Sequence, residues 1–368
     1  MAPKKILAIK LRSLGDTVLM TAPLFELKRA YPEAQIDALV IDTWAPLIEN
    51  LPCIQHVWKY KRHSKKILRA HEISRLALKL RNKKYDITVN FHASTSSATL
   101  AKATGAKIRA VHFHGHHDQD RHSTVMIPGK GILKPIVERD MDTIRALGLH
   151  IPAGRLPQIQ LQSSEVDAAK LFLDQLELRQ PVLALSLGAS RPTKSWPLDR
   201  YISLAIDWCK TQKGSVLAIA GPGEAHLIHS FLKGLDDLLF ASLPEPKTRS
   251  AIRSQIQAIN HLKLRPLAAV LNQVAIVAGN DSGPKHLAVA VNTPTVTLFG
   301  PEQPFEWHPY PPEKHPYFFV DSLKCRVNGA PDMPPWCGIQ ACKVEDHKCM
   351  RLIGVDQVLA ECQRVARL

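Results

Sequence analysis

Short apolar runs alternate with amphipathic stretches along most of the chain, and they do so in two successive series. The first series is KILAIKL, QIDALVID, DITVNFH and KIRAVHF, with TAPLFELKRAY and ISRLALKLRN among the stretches between them. The second is VLALSLGA, SVLAIAG, LFASLP, AIVAGND and TVTLFG, interleaved with LDRYISLAIDWCKTQ, EAHLIHSFLKGL, PLAAVLNQ and GPKHLAVAVN. Apolar runs of about five to seven residues between helical patterns predict parallel sheets covered by helices. Two such series predict an α/β chain of two Rossmann-like domains. The expected boundaries are 1–165 for the first domain, 180–345 for the second and 346–368 for a C-terminal helix, with a helix and linker, SSEVDAAKLFLDQLELRQ, at the break. A length of 368 residues suits two domains of ordinary size, and 45% hydrophobic residues can build their cores. No run is long and apolar enough to span a bilayer. MAPKK leads straight into the first strand without a hydrophobic leader segment, so a cytoplasmic location is expected.

In open parallel sheets ligands bind at the carboxyl ends of the strands, so the residues following each apolar run are the informative ones. After KILAIKL comes Arg12-Ser13-Leu14-Gly15-Asp16-Thr17. Asp16 and Thr17 both suit a helix N-cap, and a carboxylate at a strand end can equally act as a general base. These residues alone leave both readings open. After DITVNF comes His92-Ala93-Ser94-Thr95-Ser96-Ser97, a small polar helix start. After KIRAV comes HFHGHHDQDRH, in which five histidines (112, 114, 116, 117 and 122) and Asp118 and Asp120 have no familiar metal-ligand spacing. A loop that binds an anionic sugar fits them better.

The second series carries more specific signals. VLALSLG is followed by ASRPTKSWP, where Lys194 offers a counter-charge for phosphate and Trp196 and Pro197 seat the loop at the next helix. SVLAIAG is followed by Pro222-Gly223-Glu224; an acid there is either a ribose contact or a first-turn helix acid. AIVAGN runs into Asp281-Ser282-Gly283-Pro284, then Lys285 and His286. Backbone N–H groups at such a helix start form a diphosphate cradle, Pro284 is tolerated in a first turn, and His286 is expected to face the same anion.

The formal net charge is +15, and residues 59–84 hold eleven Lys or Arg against the single acid Glu72. That balance favours an anionic partner: nucleic acid, an anionic membrane face or a phosphorylated substrate. Aromatic content of 6% without RNA-binding motifs argues against nucleic acid. Seven cysteines are expected to be reduced thiols. Cys325, Cys337, Cys342 and Cys349 are spaced C-x11-C-x4-C-x6-C, without the C-x2-C of common zinc ribbons.

The ordered set IKLRSLGDTVLMTAPL, SRPTKSWP, GNDSGPKHLAVAVNTPTVTLFGP and FEWHPY resembles the ADP-heptose:lipopolysaccharide heptosyltransferases of glycosyltransferase family 9. The resemblance brackets most of residues 4–310. It implies a GT-B fold, two Rossmann-like domains facing a cleft, with the acceptor on the first and the donor nucleotide on the second. It implies that Asp16 is the base that deprotonates the acceptor hydroxyl in an inverting displacement, and that Lys194 neutralises the departing ADP. Ser190, Lys194, Glu224, Asp281, Ser282, Gly283 and His286 are implied as donor contacts. With no DxD motif evident, no metal cofactor is expected at the reaction, although zinc or iron at the C-terminal cysteines stays open. The implied acceptor is the lipopolysaccharide inner core, whose carboxylates and phosphates Lys61, Arg62, Lys65 and Lys66 would grip, holding the enzyme as a peripheral protein at the inner face of the cytoplasmic membrane. The final helix is expected to pack back on the N-terminal domain. The competing reading is another GT-B nucleotide-sugar enzyme, with a different donor or an epimerase.

Overall fold

A computed structural model describes residues 3–323, 325, 341–342 and 346–367. The chain divides into two units, 1–160 and 161–368, and each holds one six-stranded sheet. In the first unit the strands are β1 (Lys5–Lys10), β2 (Gln35–Ile41), β3 (His56–Tyr60), β4 (Ile87–Asn90), β5 (Ile108–His112) and β6 (Val125–Ile127). They are parallel throughout, in the order β3-β2-β1-β4-β5-β6. The second unit has β7 (Val182–Ser186), β8 (Ser215–Ile219), β9 (Ile256–Ile259), β10 (Ile276–Asn280), β11 (Thr295–Phe299) and β12 (Tyr317–Phe319). Its order, β12-β11-β10-β7-β8-β9, is the same topology, again all parallel. Both sheets are therefore Rossmann-like, and each has one switch point where the strand order reverses: between β1 and β4, and between β7 and β10.

The central strands read as continuous apolar runs because helices cover both faces. Ile6, Leu7, Ala8 and Ile9 of β1, and Val182, Leu183, Ala184 and Leu185 of β7, are fully buried. Gly279 in β10 answers to close approach: a Cβ there would stand 2.7 Å from the Ser186 carbonyl oxygen of β7.

Four expectations need correction. LFASLP is not a strand; it closes the helix Ala225–Ser242. Phe231, Leu235 and Leu239 repeat every fourth residue and share one buried face, so helical periodicity overrides the short apolar run. The edge strands β3 and β12 and the short β6 and β9 went unread, since short, partly exposed strands carry little pattern. The helix Ser163–Gln175 is part of the second unit, where Ala169 and Leu173 are buried and Glu165 pairs with Arg265 on the helix Leu264–Gln273. Finally, the last helix, Val355–Val365, spends its apolar face inside the second unit. Val358, Cys362 and Val365 sit in one core cluster with Leu183, Trp208 and Phe231.

Candidate functional site

At the switch point of the first unit, β1 delivers Lys10 and the turn Arg12–Ser13, and the helix Leu14–Leu19 begins. The N-cap is Ser13, not Asp16 or Thr17. Asp16 is the third helical residue and completes a capping box: its Oδ2 accepts from Ser13 Oγ at 2.6 Å and from the Ser13 N–H at 3.3 Å. Its other oxygen is differently placed. Among the described residues Asp16 Oδ1 is buried with no hydrogen-bond partner, and the Lys10 ammonium stands 3.7 Å from it. Lys10 is committed elsewhere, donating to Asp140 Oδ2 at 2.7 Å and Oδ1 at 3.0 Å. Asp140 lies on the helix Ile136–Arg145, and Lys10 and Asp140 are each only 1% exposed.

The electrostatics follow from these placements. Burial works to raise the Asp16 pKa, but the Lys10 and Arg12 charges and the Ser13 hydrogen bonds outweigh it, so the carboxyl titrates below its usual range. Burial pushes Asp140 up to about 6, with Lys10 pulling against it. Across the switch point, after β4, burial and the Arg12 and Lys10 charges hold His92 down at about 3; burial, then Arg139 and Arg12, hold His114 at about 4. Both rings are neutral near pH 7. A carboxylate kept ionised, with one oxygen unbonded at a strand end, can accept a proton from a bound hydroxyl.

Lys61, Arg62, Lys65 and Lys66 are all exposed, around the start of the helix Lys66–Arg81. Beside them Ile67 is 83% exposed and Leu68 46%. In the histidine-rich loop the acids hold turns: Asp120 accepts from the backbone N–H groups of His122 and Ser123, and Asp118 from that of Lys130. Among the described residues no group of three or more His, Cys, Asp or Glu could hold a metal ion. Cys349 and Cys362 are buried in the core of the second unit, and Cys337 lies outside the described residues.

At the switch point of the second unit, Asn280 ties two strand ends together. Its Oδ1 accepts from the Trp196 N–H at 2.8 Å and its Nδ2 donates to the Leu187 carbonyl at 3.0 Å. That bond places Lys194, two residues before Trp196, against Asp281. Lys194 Nζ donates to Asp281 Oδ2 at 2.6 Å, and Lys285 Nζ donates to Asp281 Oδ1, also at 2.6 Å. Burial would raise the Asp281 pKa; Lys285 and Lys194 overcome it and drive it far below the usual range. Burial pushes Lys285 down to about 8 against the pull of Asp281. The cluster sets two lysine side chains around one carboxylate. Beside it begins the helix Gly283–Ala290, whose N-cap is Ser282. Among the described residues Ser282 Oγ is buried with no hydrogen-bond partner. Excess positive charge, a helix N-terminus and an unpartnered hydroxyl suit a phosphate-bearing ligand.

Of the other expected donor contacts, Ser190 is exposed on the loop after β7. Glu224 folds back on its own turn, where Oε2 accepts from the Gly221 N–H at 2.6 Å and the carboxylate fills the space a Cβ at Gly188 would need. His286 lies beside the cluster, within electrostatic reach of Lys285 and Asp281. It is 3% exposed, its Nδ1 bonds the Tyr310 hydroxyl, and burial keeps it neutral. Sequence reasoning missed Lys10, Asp140, Lys285 and Tyr310. The lysine inside ILAIK was the available signal for the first, and the i, i+4 spacing of Asp281 and Lys285 for the third.

The family model described as glycosyltransferase family 9 (heptosyltransferase) matches residues 73–321. A lipopolysaccharide heptosyltransferase 3 of Escherichia coli is 24% identical over 307 residues, 82% of this chain and 84% of that protein. A glycosyl transferase family 9 structure from Veillonella parvula superposes with a TM-score of 0.78 at 19% identity, covering 99% of this chain and 97% of that one. The structure of an E. coli ADP-heptose LPS heptosyltransferase II gives 0.73 at 21% identity, covering 99% and 98%. These structural likenesses show the fold, two Rossmann-like units of the GT-B class.

Proposed function

This chain belongs to glycosyltransferase family 9, the heptosyltransferases, and from that premise we propose that it transfers a heptose from ADP-heptose to the inner core of lipopolysaccharide. The observation that carries the reading is the Lys194–Asp281–Lys285 cluster at the start of the helix Gly283–Ala290. It is a fixed, net positive site suited to the diphosphate of a nucleotide sugar. Fixed donors aimed at charge that develops on a leaving group are worth roughly 3–4 kcal/mol each. This supports departure of ADP without a metal at the reaction.

Asp16 is the base in this reading. The acceptor hydroxyl gives its proton to Asp16 Oδ1 while its oxygen forms the bond to the anomeric carbon. The bond from that carbon to the diphosphate oxygen breaks, and its electron pair leaves with ADP. A single in-line displacement inverts the anomeric centre. Lys194 and the helix N-terminus meet the charge that builds on the diphosphate; Ser282 Oγ and Gly283 are the further contacts. Glu224 reaches the ribose only if its turn opens.

Lys61, Arg62, Lys65 and Lys66 are read as the grip on the acceptor's carboxylates and phosphates. No helix among the described residues is long and apolar enough to cross a membrane. The same exposed cations, with Ile67 and Leu68 beside them, suit a peripheral, cytoplasmic-side association with an anionic bilayer.

The test is calorimetric titration with ADP, ADP-heptose, UDP and UDP-glucose, with and without EDTA. Preference for the adenine pair that EDTA leaves unchanged is expected. Preference for UDP, or consumption of a nucleotide sugar with no acceptor present, would replace the reading with another GT-B enzyme.

A further inference from the structure

We propose that Lys10 and Asp140 are positioning residues for the base: Asp140 tethers the Lys10 ammonium so that it stands beside Asp16 without occupying Asp16 Oδ1. The inference rests on the reading of Asp16 as the base and adds two residues to it. Three buried ionisable groups meet here, with exposures of 1% for Lys10, 3% for Asp16 and 1% for Asp140. One ammonium between two carboxylates could bond either. It bonds both oxygens of Asp140, at 2.7 and 3.0 Å, and stops 3.7 Å short of Asp16. That separation is close enough for strong attraction in a buried site and too long for a hydrogen bond. Asp16 therefore keeps its charge while Oδ1 keeps its lone pairs unbonded.

Were Lys10 free to move the remaining distance, it would form a buried ion pair with Asp16. The oxygen that must take the acceptor's proton would then be blocked and less basic. Asp140 prevents this from across the unit, on a helix 130 residues away in sequence. The other groups that act on Asp16 are Arg12 and Ser13 on its own turn and His92 after β4; Arg139 acts on Asp140 from the same helix. None of these bonds Asp16 Oδ1.

The test uses three variants of the full chain: Asp140→Asn, Lys10→Met and the double variant. Asp140→Asn releases Lys10 onto Asp16, so kcat should fall by roughly tenfold or more, with ADP affinity unchanged. Lys10→Met removes the counter-charge, so the acid limb of the rate profile should rise into the range of about pH 5–8. The double variant has no ammonium left to collapse. At about pH 8 it should be several-fold faster than Asp140→Asn, because Asp16 is ionised and unblocked there. Two residues that merely stabilise the unit predict the opposite, a double variant as slow as the worse single one. That result, or an Asp140→Asn enzyme within about twofold of the parent, would overturn the proposal. If Lys10→Met alone fails to fold because Asp140 is left buried and unpaired, the double variant still decides. Asp16→Asn with full turnover would instead end the reading of Asp16 as the base, and so separates the two failures.

Discussion

Lys194 donates to Asp281 Oδ2 at 2.6 Å although 87 residues separate them. The other oxygen of Asp281 is held by Lys285 at the same distance. One carboxylate does not neutralise two ammoniums, so positive charge is left over at the start of a helix. Of the two cations Lys194 is the more accessible, with its side chain 11% exposed against 4% for Lys285. Lys194→Ala should therefore keep the fold, since Lys285 still satisfies Asp281. ADP affinity should fall about tenfold, and turnover should fall further because leaving-group charge is greatest in the transition state. Titration calorimetry and steady-state rates check this, and an unchanged ADP affinity would remove Lys194 from the donor site.

Asp281→Ala should behave differently. It strands Lys285 as a buried, unpaired ammonium, which costs about 3–5 kcal/mol. A clear drop in the midpoint of thermal unfolding is expected, along with loss of ADP binding. A variant that melts with the parent would mean the pair contributes nothing to the second unit.

Asp16→Ala should leave ADP binding nearly unchanged, because Asp16 belongs to the first unit and the nucleotide site proposed above to the second. Turnover should fall by at least ~100-fold, the range for loss of a general base. If turnover survives, Asp16 serves only as the capping-box partner of Ser13.

Neutralising Lys61, Arg62, Lys65 and Lys66 together should raise the acceptor KM and leave ADP affinity alone. Ile67→Ser with Leu68→Ser should weaken sedimentation with vesicles rich in anionic lipid while sparing the KM for a delipidated acceptor. Loss of ADP binding in the cation variant would assign the segment to the donor instead.

Acid should destabilise the protein before most of its carboxylates protonate, Asp140, raised to about 6, being the exception and working in the opposite direction. Burial holds His92 and His308 at about 3 and His114 and His315 at about 4, against an ordinary 6.5. The folded state thus binds fewer protons than the unfolded state over that interval. The stability these neutral rings contribute is complete above 6.5 and is lost as pH falls toward the folded values. Each pKa unit of difference is worth about 1.4 kcal/mol. The unfolding midpoint should drop between about pH 7 and about pH 5, and a flat profile would show that these rings are not neutral in the folded protein.

Much of this was determined by local sequence. Runs such as VLALS and IVAGN are apolar throughout because both faces of a parallel strand are covered. The crowding of Asn280, Asp281, Ser282 and Gly283 at one strand end needs no tertiary knowledge to be noticed. Residues adjacent in sequence stay adjacent in the fold, so those features survive any packing. What remained was decided by which strands became neighbours. β1 lies beside β4 and β7 beside β10, and only that pairing sets Lys194 against Asp281. Lys10 meets Asp140 because the helix Ile136–Arg145 returns over the first sheet. The sequence shows which faces are apolar; it does not show which of several lysines will find a given carboxylate, because charge pairing in a core depends on contacts that only chain closure creates. For the same reason the bond between His286 and Tyr310 cannot be read from the chain, and LFASLP, read as a strand, completes a helix whose buried stripe the whole second unit supplies.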